Sequence, residues 1–129
     1  MDDNNERRIE QRLRYHWPVW FAEDFGGVLG QGQMVDVSSG GAAFTCNANN
    51  QCPYPGQHIT TRFSVPNLEE GDEFDMTNYT RHAHVCRVEH VNDFLRRVAV
   101  QFAEPLPFQP GEQADSDAEA QQRLKAVVI

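Results

Sequence analysis

The sequence has no apolar stretch approaching the ~18 residues that a membrane-spanning helix needs, so no helical span is expected. It has only three cysteines among 129 residues, an odd number. That count does not suit a disulfide framework, and reduced thiols are expected. The opening Met1-Asp2-Asp3-Asn4-Asn5-Glu6 is acidic and polar, where an export signal would be basic and then apolar. The expected address is therefore cytoplasmic. Signatures of catalysis are missing too: no Walker loop, no Gly-x-Gly-x-x-Gly, no Gly-x-Ser-x-Gly and no His-Glu-x-x-His. The chain is expected not to be an enzyme. Basic residues are few, 11 Lys and Arg against 19 Asp and Glu, for a net charge of −8. That balance argues against general binding to DNA, RNA or anionic membranes.

What is present suits one folded domain. Hydrophobic residues make up 40% of the chain and include eight Phe, three Tyr and two Trp. A chain of this length can bury a core without metal or disulfide help. Its charges are unevenly spread. Arg7, Arg8, Arg12 and Arg14 crowd one short segment, while acids gather in residues 69–75 and 112–119. Salt screens surface charge beyond about 8–10 Å. A local basic segment can therefore attract an anion although the whole chain is acidic.

Residues 1–14 carry many charges and few apolar anchors, and read as a mobile N-terminal arm. From Tyr15 the text changes. Tyr15-His16-Trp17-Pro18-Val19-Trp20-Phe21 is aromatic, with a proline where a strand can start. Strands are expected at 28–37, 42–46, 58–65, 79–90 and 95–103. In the 58–65 segment Ile59, Thr61, Phe63 and Val65 alternate with polar residues, the period of a half-buried strand. Pro66 is expected to end it. Val98, Val100 and Phe102 likewise share a face. Short strands with turn signals and no intervening helix indicate an antiparallel barrel or sandwich over residues 15–108. Residues 109–129 read as an acidic linker and a short C-terminal helix. Ser116-x-x-Glu119 is a capping-box pattern, and Ala120, Leu124, Val127 and Val128 form an apolar stripe. The stripe suits packing on the β-region or on a partner.

The organising stretch is Gln33-Met34-Val35-Asp36-Val37-Ser38-Ser39-Gly40-Gly41-Ala42-Ala43-Phe44. It reads as two strands joined by a polar turn. Asp36 and Ser38, two apart, share a face in an extended chain. Gly40 and Gly41 permit positive φ and close approach to the backbone. Taken alone, this reads as a hairpin corner that satisfies its own backbone. Together, Arg8-x-x-x-Arg12 and Asp36-x-Ser38-x-x-Gly41 resemble the two-part signature of the PilZ domain. The closing segment Val98-Ala99-Val100-Gln101-Phe102 resembles that family's last strand. The resemblance spans roughly residues 6–104. It implies a six-stranded antiparallel β-barrel and a receptor for the bacterial second messenger cyclic di-GMP, with no other cofactor.

On that resemblance, Arg8 and Arg12 take the ligand's phosphates and bases, because a guanidinium both forks onto phosphate oxygens and stacks on a ring. Asp36 accepts the adjacent N1–H and N2–H of a guanine edge. Ser38 adds a hydroxyl contact, and Gly41 keeps the backbone clear. Arg7 favours an intercalated ligand pair, unless it is only a solvated charge. Binding would close the arm onto the barrel, and a downstream protein would read the change. Two alternatives stand beside this one. One is a PilZ-like adaptor acting only through protein contacts. The other is a zinc-binding β-domain using His82-x-His84-x-Cys86 or Cys46 and Cys52.

Overall fold

The computed structural model describes residues 10–23, 27–67 and 75–113. Seven strands follow one another: β1 (Leu13–Arg14), β2 (Pro18–Ala22), β3 (Gly30–Val37), β4 (Gly41–Asn47), β5 (His58–Asn67), β6 (Asp75–His90) and β7 (Leu95–Phe102). All pairings are antiparallel, in the order β1-β3-β2-β5-β6-β7-β4, and β4 also pairs with β3. That last pairing closes a six-stranded barrel, with β1 as a short addition on the edge of β3. Closure removes the exposed sheet edges that an open arrangement would leave. No helix among the described residues is long and apolar enough to cross a membrane.

The barrel interior follows from the two-residue period of its strands. Ile59, Thr61, Phe63 and Val65 of β5 point inward, as do Val98, Val100 and Phe102 of β7. Inside, Phe21 stacks on Phe44 at 5.1 Å between ring centroids, and Phe63 on Phe102 at 5.5 Å. Thr61 is a polar residue on this inner face. Its hydroxyl donates to the Arg81 carbonyl at 3.0 Å, which offsets its burial. The aromatic segment divides in the same way. Tyr15, Val19 and Phe21 are buried, while Trp20 faces outward.

Three segments differ from the sequence expectation. First, Pro66 does not end β5; the strand runs on to Asn67, with Pro66 opposite Met76 and Asn67 opposite Asp75. Proline lacks an N–H, but its carbonyl still serves, accepting from Gln113 Nε2 at 2.9 Å. Second, residues 10–14 lie against the barrel. Leu13 is buried in the core and pairs with Val37, so one apolar anchor suffices to seat this part of the expected arm. Residues 1–9 lie outside the described residues. Third, packing continues beyond residue 108. A 3-10 turn at Pro110–Glu112 returns to the N-terminal segment, where Gln11 N–H donates to Glu112 Oε2 at 2.8 Å. Gln113 is buried and donates to both Pro66 and Pro110 carbonyls. The expected C-terminal helix lies in residues 114–129, outside the described residues.

Tyr15 ties the N-terminal segment to β5. Its ring is fully buried, and its hydroxyl donates to the Ser64 carbonyl at 2.9 Å. Burial, and secondarily the Asp36 carboxylate, pushes the phenol above its ordinary range. The unfolded phenol ionises at about 10, so the contribution of Tyr15 is complete below that pH and erodes above it. Tyr15→Phe should lower stability by about 1 kcal/mol at neutral pH, read as a lower urea midpoint with an unchanged slope. The same variant should lose less stability than the wild type between pH 9 and 11, on the ~10 phenol scale.

Candidate ligand-binding site

Asp36 would face the core if β3 alternated strictly from Met34. It does not, because the β3–β4 register slips there: Met34 pairs with Phe44, and the next pair is Asp36 with Ala43. Val35 is the extra residue of a β-bulge. A bulge shifts the side-chain alternation by one. Met34 and Val37 are both buried as a result, and Asp36 is turned out of the core towards the N-terminal segment.

Beyond β3 the chain turns sharply. Ser38 N–H donates to the Gly41 carbonyl at 2.8 Å, and Ser38 Oγ approaches the same oxygen at 3.4 Å. Ser39 is held by Glu10, whose carboxylate accepts from the backbone N–H and from the hydroxyl, each at 2.7 Å. The Gly40 carbonyl accepts from Phe102 N–H at 2.8 Å, and the Ser39 carbonyl from Leu106 N–H at 2.7 Å. The turn is thus tied both to the N-terminal segment and to the end of β7.

Arg12 reaches into this corner. Its Nε donates to Asp36 Oδ1 at 2.7 Å, and its Nη1 stands 3.5 Å from Ser38 Oγ. A second guanidinium arrives from β7, with Arg97 Nη2 at 3.4 Å from Asp36 Oδ2. Arg14 lies opposite Asp36 in the β1–β3 register. One carboxylate therefore sits among guanidinium groups from two distant parts of the chain. Its oxygens are ordered acceptors for paired N–H donors, and the surrounding cations suit an anion.

The arrangement joins Arg12, Asp36, Ser38 and Gly41, four of the residues expected from the sequence. Arg7 and Arg8 lie outside the described residues. Arg97 was not expected. Its only mark in the sequence is the Arg96-Arg97 doublet at the start of β7, and Asp36 is 61 positions away. The histidine stripe is elsewhere, on the outer face of β5 and β6. There His58 and His84 rings lie 5.3 Å apart and Cys86 Sγ is 3.9 Å from His84 Nδ1. Among the described residues no group of three or more such donors is placed to hold a metal ion. Burial, with Cys52 beside it, pushes the Cys46 thiol up to about 12.

The PilZ domain family model matches residues 6–115. The chain belongs to the PilZ domain family. Its barrel is similar to the structure of the Bacillus subtilis inhibitor of motility (MotI/DgrA), with a TM-score of 0.59 and 14% sequence identity. That similarity covers 95% of this chain and 52% of the other, so this PilZ chain spans about half the length of the Bacillus protein. No curated protein sequence matches significantly.

Within this PilZ domain Gly41 has a packing reason to be glycine. A Cβ there would stand 2.5 Å from the Val100 carbonyl oxygen of the neighbouring strand. Neither Gly40 nor Gly41 uses a positive φ; among the described glycines only Gly56 does. The conformational freedom expected of the pair is not drawn on. Close contact between β4 and β7 is what excludes a side chain at Gly41. Gly41→Ala should therefore destabilise the domain by about 1–3 kcal/mol. Gly40→Ala, with nothing within 4 Å of the added carbon, should stay within about 0.5 kcal/mol of the wild type. Urea denaturation of the two variants measures the contrast.

Proposed function

We propose that this PilZ domain binds cyclic di-GMP at the Arg12–Asp36–Ser38 corner and relays the signal to a partner protein in the cytoplasm. The observation that carries this reading is the 2.7 Å contact between Arg12 Nε and Asp36 Oδ1, which brings the two halves of the signature to one point. A guanine edge presents two adjacent N–H donors, and the Asp36 carboxylate has two oxygens to accept them. The phosphates meet Arg12, with Arg8 and Arg7 supplied by the segment that leads into Glu10. Residues 10–14 are already seated by Leu13 and by the Glu10–Ser39 contacts, so closure is confined to the residues before Glu10. Their approach changes the surface that the partner reads. The domain acts by binding and carries out no catalytic step of its own.

Calorimetric titration with cyclic di-GMP tests the reading. Wild-type protein should bind, and Arg8→Ala, Arg12→Ala and Asp36→Ala should each weaken binding more than tenfold, which corresponds to about 1.4 kcal/mol. Binding that Arg12→Ala and Asp36→Ala leave untouched would remove the ligand from this corner. The stoichiometry should be about two ligands per chain and about one in Arg7→Leu. Two stacked dinucleotides bring four phosphates together, and one more guanidinium is needed to offset their repulsion.

Closure has its own readout. Saturating ligand should slow tryptic cleavage after Arg7 and Arg8. Equal cleavage rates with and without ligand would refute closure while leaving binding intact.

A further inference from the structure

Asp36 has two carboxylate oxygens, and each already has an arginine. Arg12 takes Oδ1 at 2.7 Å, and Arg97 takes Oδ2 at 3.4 Å. A guanidinium offers planar, adjacent N–H donors, as does the N1–H and N2–H edge of guanine. Each oxygen can accept more than once, and a guanine edge would compete with Arg97, the longer of the two contacts, for Oδ2.

The two arginines are not held equally. Arg12 stands beside the backbone pairing of β1 with β3, makes the shorter contact, and also approaches Ser38. Arg97 is the more exposed side chain, 37% against 22%, and makes the longer contact. It also has a second carboxylate in reach, since its Nε stands 4.0 Å from Glu89 Oε1. Glu89 does not depend on Arg97, because Arg87 Nε lies 2.9 Å from its other oxygen. Arg97 can leave Asp36 without stranding a carboxylate at either end.

We infer that Arg97 is the exchangeable partner of Asp36: a guanine edge displaces it from Oδ2, and the released guanidinium turns to a phosphate of the same ligand. The inference rests on the reading of this corner as a cyclic di-GMP site. Its physical basis is charge. The ligand brings two phosphates, and Arg12, whose Nε stays on Asp36 Oδ1, meets only part of that charge, so a cation released at the rim offsets more of it. Glu89 then competes with phosphate for Arg97. That competition gives Glu89 a sign opposite to that of Arg97 in a binding experiment.

Calorimetry on the full chain, with cyclic di-GMP and cyclic di-AMP as probes, tests this role. Cyclic di-AMP has the same phosphates but lacks the paired donor edge. Arg97→Gln should weaken cyclic di-GMP binding about tenfold, while the melting temperature stays near that of the wild type. Arg97→Lys, which keeps the charge, should stay within about threefold of the wild type. Glu89→Gln, which removes the competing carboxylate, should bind cyclic di-GMP more tightly than the wild type. Cyclic di-AMP should bind weakly to the wild type and respond little to Arg97→Gln. Arg97→Gln with wild-type affinity, Arg97→Lys as weak as Arg97→Gln, or Glu89→Gln weaker than the wild type would each overturn the role of Arg97 alone. Wild-type protein that takes up no cyclic di-GMP would overturn the reading of the site itself, and the role of Arg97 with it.

Discussion

A carboxylate cannot be turned into an apolar barrel without a partner for its charge, and the site depends on how Asp36 avoids that position. One residue, Val35, is inserted into the β3–β4 ladder, and the alternation of β3 moves by one beyond it. Met34 and Val37 can then both be buried, while Asp36 meets Arg12 and Arg97. Without the bulge, burying Met34 would put Asp36 in the core and turn Val37 out of it. The same slip directs Ser38 towards Arg12 and leads into the turn that ends at Gly41.

The turn is in its place because the barrel closes there. Gly41 begins the strand that joins β3 to β7, and the carbonyls of Ser39 and Gly40 accept from Leu106 and Phe102. Both ends of the described chain converge near the same seam. Leu13 enters the core beside Val37, and the turn at Pro110–Glu112 returns to Gln11. The Asp36 corner is therefore joined by direct contacts to the N-terminal segment, to β7 and to the segment following it.

Much of the fold was legible because strand periodicity is local. The inward sets Ile59, Thr61, Phe63 and Val65, and Val98, Val100 and Phe102, could be read from their spacing and are buried as read. Pro66 misled because proline's lack of an N–H matters only where the ladder needs that donor, and a pairing pattern is not visible in one strand. The N-terminal segment was underestimated for a similar reason. A single apolar residue, Leu13, looks insignificant among arginines until a core position exists for it to fill. That Arg12, Asp36, Ser38 and Gly41 belong together was legible because they match a two-part signature, and the structure brings them to one corner. The packing reason for Gly41, contact with the Val100 carbonyl, belongs to the strand beside it.

By itself the sequence determined the residue types, their two-residue periods, the polar turn between β3 and β4, and the cluster of arginines ahead of them. These are properties of short stretches, set by side-chain chemistry and backbone preference. Only the tertiary structure decided which way Asp36 points, which arginines reach it, and why Gly41 tolerates no side chain. The bulge at Val35 is defined by pairing with a second strand. Arg97 comes to Asp36 across 61 positions because β7 and β3 both pair with β4. Contacts of that kind arise from closure of the whole barrel, and no local pattern encodes them.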